Sequence, residues 1–179
     1  MRPAPWSVVV SDLKFIDEAF SARKRPEHVR DTTRPPDDIY ADADAFAGMD
    51  WRDVTCAVLD KHYDAIYGFT PTAFCYFLPG IFSAGIRQSR PEMLVNQGLI
   101  MTLDRGNAPA SWDEFFSARW PKLSPQECEA TQRWILWLDE FDPPPIADAA
   151  LSRAYDTMGL LAHQTGATPI AAWSRKPRP

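Results

Sequence analysis

The residues best suited to chemistry in this 179-residue chain are three cysteines and three histidines. Cys56 and His62 are the nearest nucleophile and base in sequence, but six helical residues leave their side chains about 120° apart around the helix axis. His62 could instead meet Cys75 and Tyr76 from a neighbouring element, where imidazole would activate a thiolate as in cysteine hydrolases. This pattern therefore leaves open a small hydrolase-like enzyme with a site between helices. The chain contains no Gly-rich phosphate loop, Gly-x-Ser-x-Gly or His-Glu-x-x-His motif, so we assign no catalytic residue and predict no cofactor.

A second chemical pattern is a run of aspartates, whose oxygens are the ligands that calcium and magnesium prefer. The segment from Asp42 to Gly48 begins like a calcium-binding loop. Phe46 occupies the third acidic position, Gly48 stands one place late, and the closing glutamate is missing. We therefore predict a solvated acidic face and no metal site.

The same aspartates also suit an interaction surface. Residues 31–64 contain nine aspartates and three basic residues, whereas the chain as a whole carries a formal charge of −5. Acidic charge steers a basic partner, and aromatic side chains then anchor it. The candidate surface consists of Asp37, Asp38, Tyr40, Asp42, Asp44, Phe46 and Trp51, and the nearby Ile39 belongs to the same stretch. Because nucleic-acid binding needs concentrated Lys and Arg, we expect a basic protein rather than a nucleic acid as the partner.

Composition favours a single domain from inside a cell. A chain of this length buries most of its apolar surface in one core. The three cysteines, Cys56, Cys75 and Cys128, are widely spaced and unpaired, so they are expected to be buried free thiols. The N-terminus lacks the apolar run of a signal peptide, which favours the cytoplasm. The predicted body is 7–165, and 166–179 is predicted to be a surface or flexible tail.

Helix start signals recur along the chain, as a capping residue followed by Pro or, three places later, by Glu. They stand at Thr70-Pro71, Ser89-Arg90-Pro91-Glu92, Ser111-Trp112-Asp113-Glu114 and Ser124-Pro125-Gln126-Glu127. Apolar spacing adds a helix around Leu13 to Phe20, an amphipathic helix over 51–67 and a last helix beginning near Pro145. The sequence therefore predicts an all-α domain of about six or seven helices.

The central element of that domain is predicted to be a buried helix over 70–88. Residues 68–86 contain no charge, which approaches the length of a membrane span. Pro71, Pro79 and three glycines interrupt the run, and its flanks carry no aromatic belt or basic excess. A helix that is apolar on every side is interior, so we expect no membrane association, and we expect Pro79 to kink or divide the helix.

The chain resembles a family of small uncharacterised bacterial proteins in three stretches. These are Trp51–Thr55, the run Phe69-Thr-Pro-Thr-Ala-Phe-Cys-Tyr-Phe-Leu-Pro79, and Leu123–Gln126 leading to Phe141. An F-T-P-x-A-F-x-Y-x-L-P helix is the core of that family, and the likeness extends over residues 10–142. It implies a compact helical fold in the bacterial cytoplasm and brings no activity. Small acidic helical proteins of this type look like immunity or adaptor proteins, an analogy of composition that points to a toxin or another basic protein as partner. Association with a second copy of the chain is the remaining alternative.

Overall fold

The computed structural model describes residues 6–34, 38–105 and 108–164, and within these ranges the fold is all-α, as predicted. The described residues form no β-strand beyond one isolated bridge between Arg30 and Phe69. The α-helices are α1 (Trp6–Phe20), α2 (Asp38–Asp44), α3 (Cys56–Lys61), α4 (Ala65–Gly68), α5 (Pro71–Gln88), α6 (Leu94–Leu103), α7 (Glu114–Arg119), α8 (Pro125–Asp139) and α9 (Asp148–Gln164). Three 3-10 turns lie at Trp51–Asp53, Pro109–Ser111 and Trp120–Lys122.

Helix α5 is the predicted central helix. It begins where the Thr70 hydroxyl accepts a hydrogen bond from the amide of Ala73, with Pro71 in the first turn. Every residue from Ala73 to Ile86 is buried, because α1, α3, α7 and the Trp51–Asp53 turn pack around it. The helix runs unbroken past Pro79, so of the two expected effects of this proline, a kink or a division, the division does not occur.

Aromatic side chains connect α5 to its neighbours. Phe82 stacks on Trp134 of α8 with ring centroids 4.4 Å apart, and Phe74 meets Trp120 edge to face at 5.0 Å. Both tryptophans are fully buried. Aromatic pairs of this kind contribute about 0.5–1.5 kcal/mol beyond the area that they bury. Helix α8 in turn packs against α1 and α9, so the described helices share a core that includes α5.

Two predicted helix starts were wrong in position. Ser89 adopts the left-handed conformation with φ of 51° and donates its amide to the carbonyls of Gly85 and Ile86, so it ends α5 instead of starting α6. Helix α6 begins three residues after Pro91. Helix α7 is capped by Asp113, whose carboxylate accepts from the amide of Phe116, rather than by Ser111. The start at Ser124 is confirmed, with both hydrogen bonds of the capping box present.

The predicted helix over 51–67 is divided into a 3-10 turn, α3 and α4. Thr55 caps α3, which ends at His62, and Asp64 precedes α4. This division and the short α2 explain why the described residues form nine α-helices rather than six or seven. The last helix begins at Asp148, three residues after Pro145, and the proposed tail 166–179 lies outside the described residues. Within the part of the chain that the structure describes, no helix is long and apolar enough to cross a membrane.

Candidate interaction surface

Two aspartates of the acidic segment are paired with arginines from outside it, Asp44 with Arg30 and Asp60 with Arg90. Arg30 donates from Nε to both carboxylate oxygens of Asp44, at 2.8 Å each. His62 Nδ1 lies 2.9 Å from Oδ1 of Asp42, and this contact fixes the middle of α2 against the end of α3. Asp37 lies outside the described residues, and Asp38 is the first residue of α2. Arg30 and Arg90 therefore offset part of the negative charge of the acidic segment.

The aromatic anchors predicted for this surface are largely absent from it. Phe46 is 1% exposed and packs edge to face against Phe69 and Phe77. Trp51 is 2% exposed, with the guanidinium of Arg52 lying 4.1 Å above its ring. Both residues belong to the core, so their assignment as partner anchors was wrong. Tyr40 is half-buried, and its hydroxyl accepts a hydrogen bond of 3.0 Å from Arg34.

The alternative enzyme site does not assemble. Cys75 Sγ faces the carbonyl of Arg119 at 3.6 Å, Tyr76 donates to Asp50 at 3.1 Å, and His62 pairs with Asp42. Burial raises the pKa of the Cys75 thiol to about 11, the opposite of what a thiolate nucleophile needs. The three side chains thus have separate partners and do not form the predicted nucleophile and base. Among the residues that the structure describes, no three His, Cys, Asp or Glu side chains are grouped to hold a metal ion.

A different surface feature emerges from the exposed hydrophobic residues. Seven large ones are exposed in the described ranges, and five of them lie on α2, α4, α6 and the turn before α4. We call these five the apolar strip: Ile39, Tyr63, Tyr67, Leu94 and Met101. Large apolar side chains that cluster on a surface mark interaction sites more reliably than scattered ones.

Helix α2, which carries Ile39, packs closely on α4, which carries Tyr67. A Cβ on Gly68 would lie 2.6 Å from the backbone oxygen of Ile39, so only glycine permits this approach. The contact between Asp42 and His62 also places α2 beside the end of α3, which the residue Tyr63 follows. Ile39, Tyr63 and Tyr67 therefore stand on neighbouring elements.

The strip continues onto α6 through Tyr67. A Cβ on Gly98 would lie 3.1 Å from the Tyr67 hydroxyl oxygen, which shows that the phenol reaches the surface of α6. Leu94 and Met101 are 54% and 67% exposed and stand four residues before and three residues after Gly98. Residues at these spacings share a helix face, so both side chains lie next to Tyr67.

On the far side of α6 the strip borders a groove of about 180 Å³ between α6 and the start of α9. Ile100, Met101, Ile146 and Ala150 supply most of its apolar lining. Met101 thus belongs both to the exposed ridge of α6 and to the wall of the groove. We call this feature the α6–α9 groove.

Charged side chains lie on both sides of the strip. Beside the α6–α9 groove, Arg153 donates two hydrogen bonds of 2.6 and 2.8 Å to Asp104. Burial raises the pKa of Tyr67, the nearby Asp64 carboxylate raises it further, and the nearby Arg105 guanidinium lowers it. Arg105 itself pairs with Asp113 at 2.9 Å. A carboxylate and a guanidinium therefore both lie near the exposed phenol.

Sequence reasoning missed the strip because it did not examine which apolar residues of α6 would stay exposed. Leu94, Val95, Leu99, Ile100, Met101 and Leu103 surround most of the helix. A ten-residue helix with apolar residues on nearly every side, at the edge of a domain, must leave some of them exposed. That excess of apolar residues was the available signal.

No protein-family model, curated protein or solved structure matches the chain.

Proposed function

We propose that this protein binds another protein through the apolar strip and the acidic side chains next to it. The observation that carries the proposal is that five of the seven large exposed hydrophobic side chains in the described ranges stand on α2, α4, α6 and the turn before α4, and that α4 packs on both α2 and α6. These five side chains leave apolar surface in water, and a partner that covers them removes that surface from water. Fully burying one leucine or methionine contributes about 1.5–3 kcal/mol.

The acidic character of the neighbouring surface favours a basic partner. Asp42 stands on α2, where it contacts the imidazole of His62, and Asp64 stands at the start of α4. Negative charge next to aromatic and aliphatic anchors accelerates association with a positive partner and orients it. An immunity-type or adaptor role, in which the partner is a toxin or another basic protein, fits this chemistry.

The cytoplasm is the compartment that we propose. All three thiols are free and buried, and free thiols persist in reducing compartments. The F-T-P-x-A-F-x-Y-x-L-P resemblance points to the bacterial cytoplasm as well.

Affinity capture of the tagged protein from a lysate of its own cells tests the proposal. We expect a protein that is retained by the wild type and lost by Met101→Glu, because a charge in the strip would have to be buried against the partner. Retention should weaken as salt is raised. Leu136→Glu is the matched control, since Leu136 is an exposed hydrophobic residue on α8, outside the strip. If wild type, Met101→Glu and Leu136→Glu capture the same proteins, the strip is not the binding surface.

A further inference from the structure

The residues that follow α9 combine one large apolar group with positive charge. The segment 165–179 contains Arg175, Lys176 and Arg178 and no acidic residue, and Trp173 stands two places before the first of these cations. Among the residues that the structure does not describe, which are 1–5, 35–37, 106–107 and 165–179, Trp173 is the one aromatic residue. Removing an indole from water is favourable, so Trp173 favours contact with an apolar surface within its reach.

The length of the segment decides which of its residues can reach the α6–α9 groove. Helix α9 ends at Gln164, and Ala150 in the groove wall stands a distance of about 21 Å back along the helix. Because an extended chain advances about 3.3 Å per residue, Ile170 reaches about 20 Å from Gln164 and Trp173 reaches about 30 Å. The groove is therefore well within the reach of Trp173 and at the limit of that of Ile170.

The groove offers a surface that suits an indole. Its volume is about 180 Å³, enough for one large side chain, and most of its lining is apolar, from Ile100, Met101, Ile146 and Ala150. Gln97 at its edge carries a side-chain oxygen that can accept a hydrogen bond from the indole N–H. An apolar wall with a polar group at the edge is the environment in which tryptophan is commonly buried.

The start of α9 carries charge of the opposite sign to the segment. Residues 134–152 contain four acidic side chains and no Lys or Arg. Two of the four, Asp142 and Asp148, are exposed and stand on either side of the groove residue Ile146 in sequence. A basic run that follows Trp173 in the groove therefore meets negative charge at the start of α9.

The arginines closest to the groove and to this acidic stretch do not cancel its charge. Each is held by a carboxylate from outside residues 134–152: Arg105 by Asp113, Arg133 by Glu129, and Arg153 by Asp104. The four acidic side chains of the stretch thus remain an excess of negative charge.

From this combination of reach, apolar lining and charge we infer that the segment 165–179 folds back along α9, with Trp173 in the α6–α9 groove and its basic residues beside Asp142 and Asp148. The inference goes beyond the proposed function, because it assigns the groove an occupant from the chain itself. Met101 belongs both to the groove wall and to the apolar strip. The segment and a partner protein therefore compete for Met101.

Disulfide trapping in the full chain tests this placement. Gln97→Cys at the edge of the groove is combined with Ser174→Cys next to Trp173, and mild oxidation is followed by mass spectrometry. The three native thiols are buried and free, so they do not compete. Leu136→Cys combined with Ser174→Cys is the matched control, since Leu136 is exposed on α8 outside the groove. We expect the disulfide at position 97 to form within one chain at least about tenfold faster than the control, because docking raises the effective concentration of the two thiols.

Two further variants of the trapping protein separate the apolar anchor from the charges. Trp173→Ala should slow the disulfide at position 97 at least about tenfold, because the segment then loses its anchor. Replacing Arg175, Lys176 and Arg178 together by Gln should slow it about three- to fivefold at low salt and less at high salt, as exposed ion pairs do. All four residues follow the last helix, so we expect the helical fold to be unchanged in both variants.

Three results would overturn the inference. Equal rates with and without Trp173, or equal rates at positions 97 and 136, would show that the indole does not occupy the groove. Disulfides that join two chains would make a second copy the source of the occupant. A rate at low salt that ignores the three basic residues would contradict their placement beside Asp142 and Asp148. Capture of a partner through Met101 is measured separately, so each of these failures is distinguishable from a failure of the proposed function.

Discussion

The phenol of Tyr67 lies over Gly98, so closely that a methyl group on Gly98 would come within 3.1 Å of the hydroxyl oxygen. The same methyl would lie 2.9 Å from Cδ1 of the buried Ile66. Glycine at this position allows α4 to pack directly on α6. Through this contact the helix that carries Tyr67 lies against the helix that carries Leu94 and Met101.

Backbone contact at another glycine gives a direct prediction of stability. A Cβ on Gly80 of α5 would lie 2.3 Å from the carbonyl oxygen of Trp51, and neither backbone can move without disturbing the core. We expect Gly80→Ala to lower the free energy of unfolding by about 1–3 kcal/mol, although alanine favours a helix by about 1 kcal/mol. Urea denaturation measures the difference.

Gly159 provides the control for this substitution. It lies within α9, and the nearest atom to its Cβ would be Nε2 of Gln132 at 3.3 Å, which belongs to a side chain. Gly159→Ala should change the free energy of unfolding by less than about 1 kcal/mol. Equal effects of the two alanines would show that the approach of α5 to Trp51 is looser than described.

The ion pair between Arg23 and Glu127 predicts a large effect from a single carboxylate. Arg23 donates from Nε and Nη2 to both oxygens of Glu127, which is 5% exposed and also accepts from the amide of Ser124. Glu127→Ala should lower the free energy of unfolding by about 3 kcal/mol, because it leaves Arg23 half-buried and removes one half of the capping box. Thermal or urea unfolding tests this value.

Lys14→Ala is the matched comparison for that ion pair. Lys14 and Glu18 are both well exposed on α1 and 3.7 Å apart. Loss of this pair should cost no more than about 0.5 kcal/mol. An effect of Glu127→Ala as small as that would mean that Arg23 finds water or another acceptor without penalty.

The three thiols are predicted to be unreactive in the folded protein. Burial raises the pKa of Cys75 to about 11 and that of Cys128 to about 12, and it also raises the pKa of Cys56. At pH 8 only about one Cys75 side chain in a thousand is then a thiolate. Alkylation by iodoacetamide, followed by mass spectrometry, should modify no cysteine in the native protein and all three in denaturant. Rapid modification of any one of them before unfolding would contradict its buried placement.

The cap of α7 predicts a dependence of stability on pH. Hydrogen bonds from the amide of Phe116 and from Arg105 lower the pKa of Asp113 below its value in the unfolded chain. The resulting stabilisation is complete above the unfolded pKa and is lost as pH falls through the folded pKa, that is, from about pH 5 downward. The free energy of unfolding of the wild type, measured by urea denaturation, should therefore approach that of Asp113→Asn as the pH is lowered from neutral to about 3. A constant difference between the two proteins would show that Asp113 does not titrate in this way.

The sequence was sufficient for the fold class and for the central helix. The nineteen residues 68–86 carry no charge, and Thr70-Pro71 near their start begins a helix. A helix that is apolar on every side is stable in a water-soluble domain only if other helices cover it, and other helices cover α5. Ser124 was predictable as a cap for a local reason, since both partners of its capping box lie within three residues. The role of Ser89 as the end of α5 was not predictable, because its left-handed conformation depends on how the following residues pack.

The candidate surface could not be predicted in the same way, because it depends on contacts between distant residues. The partner of Asp60 is Arg90, and that of Asp44 is Arg30, so a count of charges along the chain overstates the acidity of the surface. Phe46 sits among acidic residues in sequence but faces the core once α2 and α4 pack. Met101 shows the opposite case, an apolar residue with core spacing that the fold leaves in solvent.

Site-specific photocrosslinking in living cells tests the central claim most directly. A photoreactive amino acid at position 101 of the apolar strip, or at position 136 on α8, is irradiated, and the adducts are resolved by mass. The predicted result is a discrete adduct with another protein from position 101 and none from position 136. Position 101 yielding no adduct, or the same adducts as position 136, would contradict the claim that the apolar strip binds a partner.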